Sequence, residues 1–240
     1  MIKRLSSSFL VFIFTILFLM TFSDSLKAQE GVKENQTFKI RSFGLSMGVY
    51  NPGLDYWKND SNSVFRNADY TTNIFASGFV EMTIINDFVA KLSIGYWQTR
   101  TETRIPKYGK TTMMLTGNPV ALDLIYYISP AKLAFVTPCI GVGGEWLFIQ
   151  YGLDFVDKDN PDPVNGTTGL ISGLAGLQLK LSKQFSIDLF AEYKSGSYQQ
   201  SFVREVSNPD LEIPSYEAEF EEEISLTGPK FGFSLKYLFK

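Results

Sequence analysis

The stretch "KFGFSLKYLFK" (Lys230–Lys240) decides how the rest of the chain is read. Phe231, Phe233, Leu235, Tyr237 and Phe239 fall on every second position, with Gly232, Ser234 and Lys236 between them. A period of two belongs to an extended strand whose two faces meet different surroundings. The remaining sequence has to say which face meets what.

Aromatics make up 15% of the 240 residues, supplied mainly by 21 Phe and 12 Tyr, a mixture that favours strands over helices. The first segment stands apart. Lys3 and Arg4 precede an apolar run from Phe9 to Phe22, followed by small and polar residues. That is the layout of a secretory signal, and the run is shorter than the roughly 20 residues a spanning helix needs. Residues 1–28 therefore read as a signal peptide cut after Ala28, and 29–240 as the mature domain. Losing Lys3, Arg4, Lys27 and Asp24 moves the net charge from −3 to −5. Mild acidity argues against a nucleic-acid partner. Cys139 is the only thiol, so the chain cannot form an internal disulfide.

Alternation recurs in eight segments, near 39–50, 73–84, 88–99, 114–128, 133–148, 169–181, 185–194 and from 226 onward. In the first, Phe43, Leu45, Met47 and Val49 oppose Ser42, Gly44, Ser46 and Gly48. In the third, Phe88, Ala90, Leu92, Ile94 and Tyr96 oppose Lys91, Ser93 and Gly95. Connections after the second, fourth and sixth segments are short. Those after the first, third, fifth and seventh (51–72, 100–112, 149–168 and 195–224) are long and polar, which is uncommon in a compact soluble domain. Short turns at one end and long loops at the other are the habit of transmembrane barrels.

The less aromatic face is rich in Gly and Ser, which suits a narrow interior better than a soluble exterior. It also carries Glu81, Lys91, Asp123, Glu145, Lys180, Asp188, Glu192 and Lys236. Counted from the short turns, Glu81, Lys91, Asp123, Lys180, Asp188 and Lys236 fall at one level. A lumen of eight strands is just wide enough to be filled by side chains. The expectation is a polar plug, since an unpaired charge there costs several kcal/mol. Tyr96, Tyr126, Trp146, Tyr193 and Tyr237 stand near strand ends, where membrane barrels place aromatic girdles. Only a closed barrel or a helix satisfies its backbone in hydrocarbon. The fold class is all-β: an eight-stranded antiparallel up-and-down transmembrane barrel.

With these strands and this last segment, residues 38–240 resemble the small Gram-negative outer-membrane β-barrels, the OmpA/OmpX/OmpW-like group. Lys230, Gly232, Leu235 and Tyr237 fit that family's insertion signal in order, ahead of Phe239 and a final Lys240. The resemblance implies outer-membrane localisation and recognition by the outer-membrane assembly machinery. It also implies contact with membrane lipids, and loops that engage a surface protein or glycan. No domain of the peptidoglycan-binding kind is expected after the barrel.

The chain has no His, which removes Ser–His–Asp and Cys–His nucleophile systems and the usual zinc sites. Carboxylates alone can do acid–base work, but beside Lys in a barrel interior they read as structural. No enzymatic activity and no cofactor are expected. "GKTT" (Gly109–Thr112) lacks the upstream Gly of a phosphate loop. Asp157, Asp159 and Asp162 give a weak calcium-loop pattern that Pro161 breaks, so a solvated acidic loop is the better reading. The run "EAEFEEE" (Glu217–Glu223) reads as an acidic loop or as a prolongation of the last hairpin. Tyr56, Trp57, Phe65 and Tyr70 in the first long loop are the candidate contact residues, since loops carry function on rigid scaffolds. Two alternatives stay open: a narrow conduit for small or lipophilic solutes, as in OmpW-like members, and a lipid-modifying barrel enzyme working without His.

Overall fold

The computed structural model describes residues 39–54, 69–70, 73–105, 109–128, 135–155, 163–208 and 213–239. Residues 1–28, expected to be a signal peptide, lie outside them. The elements are β1 (Lys39–Tyr50), β2 (Asp69–Tyr70), β3 (Asn73–Ile85), β4 (Phe88–Ile105), β5 (Gly109–Tyr127) and β6 (Val136–Phe155). They continue with β7 (Val164–Lys180), β8 (Phe185–Ser195), β9 (Ser197–Asn208), β10 (Ile213–Ser225) and β11 (Gly228–Leu238). No described helix is long and apolar enough to cross a membrane. The sheet runs β4-β3-β1-β11-β8-β7-β6-β5 and closes through β4–β5, with every pairing antiparallel. This is the closed, eight-stranded, up-and-down barrel that the alternation predicts.

The closure is staggered. Ser42 faces Glu81, then Lys91, Asp123, Gly143, Ser172, Lys194 and Gly228 around the wall. The ladder returns to β1 at Pro52, between the bonds Asn51 N–H to Pro229 O and Gly53 N–H to Thr227 O. A circuit from position 42 to position 52 is a shear of ten residues, which tilts the strands by about 40° from the axis. Residues level in the register are therefore not level along the axis.

Turn chemistry supports the short end. Asn86, between β3 and β4, has φ 48°, a left-handed value that Asn tolerates in tight turns. Between β7 and β8, Ser182 Oγ accepts bonds from Gln184 N–H and Phe185 N–H.

The outward face is apolar. Leu45 is 52% exposed, Val142 63% and Leu235 49%, whereas Ser46, Glu81 and Lys236 are buried on the inward face. Rings gather at the short-turn rim, with Tyr237 packed against Phe43, Phe185 and Phe239, and Phe88 against Tyr126. Trp146 and Tyr193 stand exposed towards the other end. Lipid is the surrounding that lets such a belt lie outside while charges lie within.

Three of the expected long loops are largely wall. β4, β5, β6 and β7 have 18, 19, 20 and 17 residues, well beyond the roughly 9–11 that span a bilayer. Beyond Gly196, whose φ of 150° suits glycine, β9 and β10 carry the β8–β11 ladder onward. The run Glu217–Glu223 thus prolongs the last hairpin. These stretches read as loops because the apolar/polar alternation fades once the outward face leaves hydrocarbon. Outside β4 and β5 it carries Arg100 and Lys110, both paired with Glu102.

Leu235→Lys puts a cation in the belt and is expected to cost about 2–4 kcal/mol if it lies near the midplane. Urea titration of refolding into liposomes measures this; an unchanged midpoint would contradict the orientation.

Candidate functional site

The lumen holds the molecule's concentration of buried polar chemistry. Its lower cluster is centred on Lys236 of β11, whose Nζ meets Glu81 Oε1 at 2.5 Å and also pairs with Asp188. The same ammonium donates to the Tyr127 hydroxyl at 2.6 Å. Ser42 Oγ donates to the second oxygen of Glu81 at 2.6 Å, and Gln178 Nε2 reaches Asp188 Oδ1 at 3.4 Å. The Arg41 guanidinium stacks 4.1 Å from the centre of the Tyr127 ring. Two carboxylates thus share one enclosed cation, held by neutral donors. Val89, Ile125, Tyr127 and Cys139 form an apolar cluster beside them.

Lys91 lies between Glu81 and Asp123 in the register, and its Nζ stands 4.7 Å from the Phe79 ring centre and 5.5 Å from that of Phe190. The inward glycines explain how such rings fit. A Cβ on Gly44 would lie 2.7 Å from Phe79 Cζ, and one on Gly232 would lie 2.9 Å from both Phe75 and Phe190 Cζ. On Gly143 it would lie 2.1 Å from Asp123 Oδ1. The small residues are sockets for large partners on facing strands.

The upper cluster pairs Lys194 with Glu145, and Lys230 with Glu192 at 2.8 Å. Lys194 also stands 3.8 Å from Glu192, and Lys230 lies 4.5 Å from the centre of the Phe75 ring. Above it the lumen turns apolar: Tyr50, Leu54, Trp97, Met113, Leu115, Leu147, Ile149, Leu170, Tyr198, Ile224 and Leu226 form one buried cluster. Trp97 meets Tyr50 edge-on at 5.3 Å between ring centres, and the Tyr50 hydroxyl donates to Leu226 O.

Of the six residues expected at a single level, Glu81, Asp188 and Lys236 meet directly, and Lys91 and Asp123 are register partners beside them. Glu145 and Glu192, the other two inward carboxylates, form the upper cluster with Lys194 and Lys230. Lys180 is exposed at the end of β7 rather than enclosed. Strand tilt is the reason: counting from the turns ignores the ten-residue stagger. Lys194 and Tyr127 are lumen members that sequence reasoning passed over, although both lie on the inward parity, which was the available signal. Ser42 and Gln178 lie inward as the alternation predicts, and their bonds to Glu81 and Asp188 are what the structure adds. Lys230, read as part of the assembly signal, is also an ion-pair partner inside the barrel; Gly232 is a socket, while Leu235 faces outward. Tyr56, Trp57, Phe65, Asp157, Asp159 and Asp162 lie outside the described residues. Tyr70 lies on β2, which pairs with β4. Among the described residues no cluster is arranged to hold a metal ion.

Two further features share one height. The β4–β5 register runs from Phe88↔Tyr126 to Ile94↔Val120 and resumes at Trp97↔Gly117, skipping Gly95 and Tyr96 opposite Asn118 and Pro119. Pro119 has no N–H to give the ladder. Against this interruption lies a cavity of about 20 Å³, whose lining includes Gly95, Trp97, Pro119, Glu145, Lys194 and Lys230.

No protein-family model matches the sequence, and no curated protein matches it. Solved structures do. The chain is similar to the outer membrane protein OprG of Pseudomonas aeruginosa, with TM-score 0.51 and 15% identity over 84% of this chain and 95% of that one. It is also similar to Neisserial surface protein A, with TM-score 0.46 and 10% identity over 85% and 98% of the two chains. A third similarity is to Ail of Yersinia pestis, with TM-score 0.39 and 14% identity over 84% and 98%. The fold is that of the small, eight-stranded, integral outer-membrane β-barrels.

Lys236→Met leaves the carboxylates of Glu81 and Asp188 enclosed without their cation and is expected to cost about 3–5 kcal/mol. Lys110→Met, which breaks an exposed pair, is expected to cost less than about 1 kcal/mol. Equal urea midpoints for the two variants would contradict an enclosed cluster.

Proposed function

We propose that this chain is a non-enzymatic outer-membrane barrel whose filled lumen serves as a rigid support for surface binding by its outer segments. The observation that supports this most is the packing of the lumen. A hydrogen-bonded ion cluster, lysine–aromatic stacks, a second ion cluster and an apolar cap succeed one another along it. Glu145 and Glu192 are each engaged by lysines, which favours a structural role for them over acid–base catalysis. Binding is assigned to the first outer segment, with Tyr56, Trp57, Phe65 and Tyr70 as contacts for a surface protein or glycan.

Two measurements test this. Purified protein in planar bilayers is expected to give no reproducible conductance steps. Deleting residues 55–66 is expected to leave a barrel that inserts normally while abolishing capture of any surface partner by intact cells. Failure to insert would contradict the assignment of that segment as a binding loop.

A second reading, transfer of a lipophile through the side wall, is favoured by the interrupted β4–β5 ladder and the cavity beside Pro119. A wall locally without backbone bonds can part at lower cost than an intact ladder. Flux of an apolar solute without ion conductance would favour this reading over the first.

A further inference from the structure

We infer that one arc of the short-turn rim, centred on the β7–β8 turn, is a binding site for the phosphate head of an anionic phospholipid. Lys180 and Lys183 take the head, Lys39 flanks it, and a row of rings carries the adjoining acyl-glycerol region. Rings and charge support this separately.

The rings set the height. Phe43, Tyr237 and Phe185 are successive register partners on β1, β11 and β8. Tyr237 lies 5.4 Å from Phe43, 5.5 Å from Phe185 and 5.5 Å from Phe239 between ring centres. Such a girdle stands at the lipid–water boundary. Residues beyond it towards the turns therefore lie among headgroups rather than acyl chains. Lys183 precedes Phe185 by two residues, Lys39 precedes Phe43 by four, and Lys180 closes β7; all three are exposed. A lysine's four-carbon stem can lie along apolar surface while its ammonium reaches a phosphate.

Charge selects the head. The carboxylates on the lower parts of β3 and β8, Glu81 and Asp188, are buried in the lumen with Lys236. Arg41 adds a further cation at this mouth, drawn over the Tyr127 ring. Among the described residues, the one acid at the short-turn rim is Asp87, in the β3–β4 turn. The strand order places that turn diametrically opposite β7–β8. At the far rim, by contrast, Arg100 and Lys110 share the carboxylate of Glu102. An excess of cations on one arc attracts a net negative head. It gains less from a zwitterionic head, whose own ammonium offsets the phosphate. The rings alone do not select, because Phe88, next to Asp87, packs against Tyr126 in a comparable platform.

The test uses the mature chain with Trp57→Phe and Trp146→Phe and one of two fluorescent reporters. Phe185→Trp reports the cationic arc and Phe88→Trp the arc beside Asp87; both positions are exposed, whereas Trp97, common to both proteins, is enclosed. Each protein is reconstituted in phosphatidylcholine mixed with dibrominated phosphatidylglycerol or dibrominated phosphatidylcholine, and quenching gives the relative affinity of the two heads. Phosphatidylglycerol is expected to be favoured about fivefold at the Phe185 reporter, as one cation close to an anionic lipid contributes. At the Phe88 reporter the two lipids are expected to quench equally. Lys180→Gln combined with Lys183→Gln is expected to bring the first ratio to about one while the urea midpoint of the barrel stays unchanged. The same preference at both reporters, or at neither, would overturn the site. A preference at Phe185 that survives both glutamine substitutions would assign it to the rings and overturn the role of the lysines.

Discussion

In hydrocarbon no water is present to satisfy a stray N–H or C=O, so the structure depends on β11 pairing with β1. That pair runs from Ser42↔Leu238 to Tyr50↔Lys230 without a break. It removes the last two sheet edges and fixes the stagger with which the wall closes. Tilt, lumen width and the vertical order of the inward residues follow from it. The final strand carries more than a ladder: its outward Phe231, Phe233 and Leu235 belong to the lipid belt, while Lys230 and Lys236 supply cations to the two lumen clusters.

The interior is organised by size as much as by charge. Inward glycines on β1, β5 and β11 face Phe79, Trp97, Phe75 and Phe190, so rings fill what small residues leave open. Lysines then lie over those rings, where a desolvated cation–π contact contributes about 2 kcal/mol. Carboxylates complete the arrangement. The apolar cap above the upper cluster keeps water from the ion pairs on that side, which strengthens their mutual attraction. An exposed pair such as Lys110–Glu102 has no such shelter.

Much of this was legible in the sequence, because strand parity is a local property. Phe43 and Ser42, or Leu235 and Lys236, differ in polarity so sharply that their opposite sides could be read directly. Fold class and the sidedness of the wall followed from that alone. The grouping of lumen charges did not, since it depends on a stagger set by the whole circuit; Lys180 and Lys194 both sit near strand ends, yet only Lys194 is enclosed. The length of β4 to β7 was hidden for another reason. Above the membrane a strand may carry Arg100 or Glu102 outward without penalty, so the sequence there looks like a loop. The interruption at Pro119 was visible as a proline in a strand, but its place opposite Gly95 required the register.

The sidedness of the wall underlies every functional statement, and collision spectroscopy reads it directly. Single nitroxide labels at Leu45, Leu122, Val142, Ile171, Leu189 and Leu235 would be measured in reconstituted protein against oxygen, which concentrates in lipid, and a water-soluble nickel chelate. The expected result is that oxygen relaxes the label far more than the chelate at each position. A chelate-dominated signal at these sites would show that the apolar face meets water or is folded inward, and would contradict the account.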